Sequence, residues 1–328
     1  MERVYIIGIG KNIPEKVINN HDLEKMVDTS DEWITTRTGI KERHIVADDQ
    51  ATSDIAVLAA REALQSARVK AEDLDLIIVA TITGDMQFPA TACIVQRKLG
   101  AKNAVAFDVS AACAGFPYAL CVGSQFIKTG RFKHILIIGA EALSRFTDWT
   151  DRGTCILFGD GAGAAIISNK PGTTRSEVLS DYLSADGEHV GLLNTPGGGS
   201  QHPATHKTVD ERLHYIKMDG AAVFKIAVKS MTEAVNMVLE KNGLTVDDIS
   251  SLIPHQANLR IIKAVGKLVK IPDEKVFVNV DKYGNMSSAT TIVALYDAVK
   301  AGVVKPGDLV VLVAFGGGFV SGATLIRW

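Results

Sequence analysis

The chain has 328 residues, 47% of them hydrophobic and 22% charged, which suits two ordinary domains or one duplicated α/β body with a large core. That balance excludes a disordered tail protein and a disulfide-stapled miniprotein. A formal net charge of −2 gives no overall attraction to nucleic acid or an anionic membrane, so an acidic partner has to meet a local patch.

In chain order, the first apolar run ends at Lys11. It is too short for a signal-peptide core or a membrane span, and no later segment reaches spanning length without charge or turn residues. A cytoplasmic protein is expected. Short β-branched apolar runs predict strands at 4–8, 76–80, 104–109, 135–139, 163–168, 251–254, 276–280 and 309–314. Helical spacing over 52–67 aligns Ile55, Ala56, Ala59, Ala60, Ala63, Leu64 and Ala67 on one stripe, and a second helix is predicted over 223–241, stopped at Asn242-Gly243. Alternation of strands with helices predicts α/β layers with mostly parallel sheets.

The chain also repeats itself. AEDLDLIIVA (71–80) is echoed by VDDISSLIPH (246–255), AVAFDVSAACAGF (104–116) by KVFVNVDKYGNMSSA (275–289), and KTGRFKHILIIGA (128–140) by KAGVVKPGDLVVLVA (300–314). All three pairs lie at nearly one offset, which predicts two copies of an α/β unit, divided as 1–170 and 171–328, with functional residues gathered where equivalent strand ends meet.

Four cysteines show no CxxC pair and no histidine at metal-ligand spacing, so neither a metal site nor a disulfide is expected. Cys93, Cys121 and Cys155 sit in apolar patterns and read as core fillers. Cys113 differs. It lies between a strand and a helix, flanked by Ala111, Ala112, Ala114 and Gly115, the arrangement of a nucleophile on a tight bend that backbone and substrate can approach. The amides and dipole at the helix N-terminus are expected to favour its thiolate. His255 follows the strand at 251–254, whereas the other histidines for the most part lie in polar contexts. Asn285 in YGN would be a turn residue on its own, but the echo places it almost opposite Cys113. Gly159-Asp-Gly-Ala-Gly163 precedes a strand rather than a helix, so a dinucleotide loop is rejected. The run Gly316–Gly318 could bring a backbone amide to a substrate oxygen, while Gly197–Gly199 reads as a flexible loop.

With these motifs the chain resembles, essentially end to end, the β-ketoacyl-acyl carrier protein synthase III family, the condensing enzymes that start bacterial fatty-acid synthesis. The resemblance rests on DLEKMVDTSDEWITTRTGIKERHI (22–45), DVSAACAGF (108–116), DRGTCILFGDGAGAA (151–165), PHQANLRII (254–262), YGN (283–285) and FGGGF (315–319). It implies a five-layer αβαβα thiolase-like fold, a homodimer, and a two-stage reaction without metal or redox cofactor. Cys113 would take an acyl group from acyl-coenzyme A (acetyl being the expected primer), and His255 and Asn285 would stabilise the enolate formed by decarboxylation of malonyl-acyl carrier protein. Backbone amides of Cys113 and Gly317 would hold the second oxyanion. Coenzyme A is expected at Trp33, Arg37, Arg152 and Asn258, and Phe88 at the end of the acyl pocket. Arg260, Lys263, Lys267 and Lys270, joined by Lys225, are the expected docking face for the acidic carrier protein.

The chain departs from the family pattern at Met286-Ser287-Ser288-Ala289, at Val320-Ser321 and in a longer loop over 186–218, changes that bear on acyl preference. A secondary-metabolite acyltransferase on the same fold and a non-catalytic binding paralogue are the alternatives.

Overall fold

The computed structural model describes residues 1–173 and 176–328. Nine strands form its main sheet among the described residues: β1 (Tyr5–Asn12), β2 (Leu76–Ala80), β3 (Val105–Val109), β4 (His134–Glu141), β5 (Gly161–Ser168), β6 (Ser176–Ser184), β7 (Ser251–Pro254), β8 (Leu309–Gly316) and β9 (Val320–Arg327). Their order is β7-β8-β9-β6-β1-β5-β4-β2-β3. The principal helices are α1 (Asp31–Thr38), α2 (Thr52–Ala67), α3 (Thr91–Leu99), α4 (Gly115–Lys128), α5 (Gly220–Glu240), α6 (Leu259–Val269) and α7 (Thr290–Lys300).

The sheet has two parts, joined among the described residues where Tyr5 and Ile6 of β1 pair with Glu177 and Ser176 of β6, beside the Val178 N–H that donates to the Val4 carbonyl. Three apolar cores define the layers. α4 and α7 pack between the two parts, with Phe116, Leu120, Ile292 and Leu295 meeting Ile78, Ile137, Ile253 and Leu312. α2 and α3 cover the outer face of the first part, and α5 and α6 cover that of the second. The result is five layers, helix, sheet, helix, sheet, helix, which buries both faces of every central strand. Glycine permits the closest of these contacts: a β-carbon on Gly8 of β1 would stand 2.5 Å from the Ala63 carbonyl oxygen of α2. No helix among the described residues is long and apolar enough to cross a membrane.

The internal echo is a repeated register. Leu76 of β2 pairs in parallel with Ile135 of β4, and 175 residues later in both strands Ser251 of β7 pairs with Val310 of β8.

Two expectations are corrected. The sheet is mixed rather than mostly parallel: β8 and β9 are antiparallel across the tight turn Gly317–Phe319, and β5 runs against both β1 and β4. Residues 276–280 are not a strand. Where β2 pairs along its length with β3, only the bridge Leu252–Val276 forms. The Gln256 side chain takes the neighbouring backbone groups instead, donating to the Phe277 carbonyl at 3.1 Å and accepting from the Asn279 N–H at 2.9 Å.

The 186–218 segment is ordered by its own contacts, Leu193–Asn194 pairing with Lys217–Met218. Within it Gly197 donates to the Leu213 carbonyl, so the start of the glycine run is anchored rather than merely flexible.

Candidate active site

Cys113 lies in the single turn of 3₁₀ helix Ala112–Ala114 that links the end of β3 to α4. Ala112 has φ 43°, a bend that turns the chain from strand to helix. Behind it the end of β8 comes so near that a β-carbon on Gly316 would lie 2.5 Å from the Cys113 nitrogen. The side chain is buried. Burial pushes the thiol up to about 12 from 9.0, with a smaller upward push from Glu141, against a hydrogen-bonding contribution from the Ser287 hydroxyl. Burial thus opposes the bias towards thiolate expected from the helix N-terminus and favours the neutral thiol.

His255 extends the parallel ladder one residue beyond β7, its N–H donating to the Val313 carbonyl at 2.7 Å. Its ring is buried, and burial alone drives it down to about 3 from 6.5, so it rests as neutral imidazole. Nδ1 lies 2.5 Å from Thr290 Oγ1 at the start of α7.

Asn285 is fixed from both sides of its backbone. Its N–H donates to the Leu157 carbonyl at 2.8 Å, and its own carbonyl accepts from Gly159 N–H at 3.0 Å. The side-chain oxygen accepts from the Ser287 N–H at 2.8 Å. A backbone N–H only donates, so Oδ1 is identified by its partner and Nδ2 is the atom left for a ligand. The echo is offset from the expected one by three residues. Ser287 has φ 44°, matching Ala112, which makes Ser288 rather than Asn285 the counterpart of Cys113.

These three side chains line one cavity of about 660 Å³. Gly317, Asn258, Arg37 and Arg260 line it too, and its apolar wall includes Ile82, Leu143, Phe158 and Ile216. Asn258 caps α6, its Oδ1 accepting from Arg260 N–H at 2.8 Å, which leaves its amide nitrogen unspent on the cap. Trp33 stands outside the wall, with the Arg37 and Arg152 guanidinium carbons 4.7 and 4.9 Å from its ring centroid. Arg152 also donates to the Asp28 carbonyl at 2.9 Å.

Other expected residues are not brought into the cavity. Phe88 is 84% exposed and lies outside the wall of this cavity. Lys225 of α5 and Lys263, Lys267 and Lys270 on or just after α6 are exposed on the outer helical layer. Arg260 links the two regions: it is exposed, lines the cavity, and places its guanidinium 5.7 Å from the Phe224 ring centroid. Of the remaining cysteines, Cys155 is buried, Cys121 is partly buried with Sγ 3.0 Å from Asp181 Oδ1, and Cys93 is exposed, since its helix lies beside the open edge strand β3. Cys93 is thus not a core filler.

Three residues near the site were not found from sequence. Ser287 and Thr290 sit in what reads as a small-residue helix start. Glu141 is fully buried, its carboxylate accepting from the hydroxyls of Thr83 at 2.7 Å and Thr81 at 3.1 Å, and burial raises its pKa. The signal for it was an acidic residue closing the otherwise apolar strand HILIIGAE.

Residues 107–187 match the family model described as 3-Oxoacyl-[acyl-carrier-protein (ACP)] synthase III, and residues 239–328 match the model for the C-terminal part of the same enzyme. A curated relative from Caldanaerobacter subterraneus, beta-ketoacyl-[acyl-carrier-protein] synthase III, is 54% identical over 98% of this chain and 97% of its own. The crystal structure of 3-oxoacyl-[acyl-carrier-protein] synthase III from Aquifex aeolicus superposes with TM-score 0.92 at 49% identity, covering 99% of this chain and 100% of that one. The priming beta-ketosynthase of the R1128 polyketide pathway superposes with TM-score 0.90 at 33% identity, over 99% and 97% of the two chains. With whole-length identity above one half and a common fold, the chain belongs to the β-ketoacyl-acyl carrier protein synthase III family.

Proposed function

We propose that this chain catalyses the priming condensation of fatty-acid synthesis, joining an acyl-coenzyme A primer, acetyl in the first instance, to malonyl-acyl carrier protein. The observation that carries the reading is one cavity shared by a buried thiol, a buried neutral imidazole and a buried, oriented amide.

In the first stage the Cys113 sulfur attacks the primer thioester. An S–C bond forms, the bond to coenzyme A sulfur breaks, and the thiol proton leaves with the coenzyme A thiol. Because the resting thiol is held neutral, deprotonation accompanies attack rather than preceding it. In the second stage the malonyl C–CO₂ bond breaks and its electron pair passes to the thioester enolate. His255 Nε2 and Asn285 Nδ2 donate to that oxygen, each worth about 10² or more in rate in a dry site. The enolate carbon attacks the acyl-Cys113 carbonyl, whose oxygen is held by the amides of Cys113 and Gly317. The Cys113–acyl bond then breaks, and the leaving thiolate takes a proton from solvent.

Trp33 would stack on the adenine, with Arg37 and Arg152 on the phosphates and Asn258 on the pantetheine arm. The basic face of Lys225, Arg260, Lys263 and Lys267 would receive the carrier protein. A homodimer accounts for two features of the single chain: the edge strand β3 with Val105 53% exposed, and the 84% exposed Phe88. On this reading Phe88 closes the acyl pocket of the second protomer. A cytoplasmic location agrees with both substrates.

Mass spectrometry after brief exposure to acetyl-coenzyme A, followed by malonyl-carrier protein, tests the proposal. An acetyl adduct on Cys113 that disappears as acetoacetyl-carrier protein forms is the expected result. An adduct that never condenses would indicate a secondary-metabolite acyltransferase. No adduct from any short acyl-coenzyme A would indicate a binding paralogue.

A further inference from the structure

A neutral imidazole carries one hydrogen. It can donate to an enolate from Nε2 only if Nδ1 is bare, and a bare buried Nδ1 needs a donor. The only hydrogen-bond partner of His255 Nδ1 among the described residues is Thr290 Oγ1, at 2.5 Å. The Thr290 hydroxyl has a second acceptor within reach, the Ser287 carbonyl at 2.9 Å. That carbonyl, however, already accepts the backbone N–H of Thr290, which closes the 3₁₀ turn Ser287–Ala289. A carbonyl has two lone pairs and can accept both, but the hydroxyl's shorter contact is to the ring, at 2.5 Å against 2.9 Å.

We propose that Thr290 is the positioning residue that sets the His255 tautomer, its hydroxyl donating to Nδ1 so that Nε2 carries the hydrogen aimed at the developing enolate oxygen. The effect falls on one half of the reaction. Decarboxylation and condensation need a donor at Nε2; attack of Cys113 on the primer does not. The location also makes structural sense: Thr290 opens α7 directly after the turn Ser287–Ala289, and the Ser287 N–H of that turn holds the Asn285 side-chain oxygen, so one short segment fixes one enolate donor and orients the other. Burial reinforces the assignment, because an imidazole held far below its ordinary pKa does not become doubly protonated to escape the choice.

The inference rests on His255 acting at the enolate, and the test separates the two ideas. Three variants, Thr290→Val, Thr290→Ser and His255→Ala, are compared in two assays: acyl-Cys113 formation by mass spectrometry, and carbon dioxide release from malonyl-carrier protein. Thr290→Val is expected to lower decarboxylation by about tenfold or more while acylation stays within about threefold, and Thr290→Ser to restore it. If His255→Ala decarboxylates normally, the role of His255 fails and the inference with it. If His255→Ala is inactive while Thr290→Val is normal, or if Thr290→Val loses both half-reactions equally and Thr290→Ser does not rescue, the assignment to Thr290 is wrong. A readout on the unaltered enzyme guards against a variant that misfolds. With ¹⁵N-labelled histidine, the spectrum of His255 should show a bare, acceptor-type Nδ1 and a protonated Nε2; the reverse pattern overturns the proposal.

Discussion

Ala112 and Ser287, 175 residues apart, hold the same left-handed backbone angle, φ 43° and 44°, one before Cys113 and the other just after Asn285. Neither is glycine, so each carries a cost on the order of 1–3 kcal/mol that the surrounding packing must offset. The shared angle bends the chain alike at two places: Cys113 directly follows one bend, and Asn285 lies two residues before the other.

A β-branched residue tolerates this angle worst. Ala112→Val is therefore expected to destabilise the fold by about 2 kcal/mol and to reduce acylation of Cys113 by at least about tenfold. Thermal unfolding and adduct formation measure the two effects. Wild-type stability and acylation in this variant would mean that the turn is not constrained.

Gly316→Ala tests the other side of the nucleophile. The added carbon would sit 2.5 Å from the Cys113 nitrogen and 2.9 Å from the Ala112 β-carbon, both rigid neighbours. Backbone, rather than a flexible side-chain end, has to shift. We expect kcat for condensation to fall by about 10² or more, with a smaller change in the KM for acyl-coenzyme A, since the displaced atoms belong to the reacting centre and not to the Trp33 rim. A pure KM effect would contradict this.

Sequence made the frame and the meeting of Cys113, His255 and Asn285 at one cavity legible for a physical reason: strand ends and small-residue turns leave local signals. Residues 76–80, 251–254 and 52–67 are elements with the bounds expected of them. Residues 276–280 have a strand's composition but lose their ladder to the side chain of Gln256, a long-range contact that no local pattern encodes. The environment of the Cys113 sulfur is non-local in the same way. Helix position can be read locally, whereas desolvation depends on what the rest of the chain packs around the sulfur. Thr290 escaped notice because a threonine at a helix start has many ordinary uses.

The buried neutral His255 gives stability a defined acid limb. Its folded pKa is near 3 against an ordinary 6.5, so the unfolded chain binds more protons between those values and stability falls as pH drops through that window. Above 6.5 the contribution is fully present, on the order of 5 kcal/mol for a shift of this size. Other carboxylates contribute to acid unfolding, so the comparison is with His255→Asn. Urea unfolding between pH 7 and about pH 4 should show a shallower loss of stability in that variant. Parallel curves would mean that the ring is hydrated and titrates normally. Cys113 acts at the other end. Its raised folded pKa stabilises the protein below about pH 9, and the contribution is lost as pH rises towards 12.

The outer helices supply the last test. Lys263 and Lys267 are exposed on α6, the helix that Asn258 caps beside the cavity. An acidic carrier protein held there would deliver its pantetheine arm along the line from Arg260 to Cys113, both of which line the cavity. Exposed charges of this kind govern encounter more than chemistry, and salt screens them over roughly 10 Å at 0.1 M. The double reversal Lys263→Glu with Lys267→Glu is therefore expected to raise the KM for malonyl-carrier protein by about tenfold at low salt. The KM for acetyl-coenzyme A and the yield of acyl-Cys113 should change by less than about twofold, and added salt should narrow the gap between variant and wild type. Arg260 is left intact in this experiment because it borders the cavity, and its loss would mix docking with binding of the arm. An unchanged KM for malonyl-carrier protein in the double variant would move the docking surface off α6.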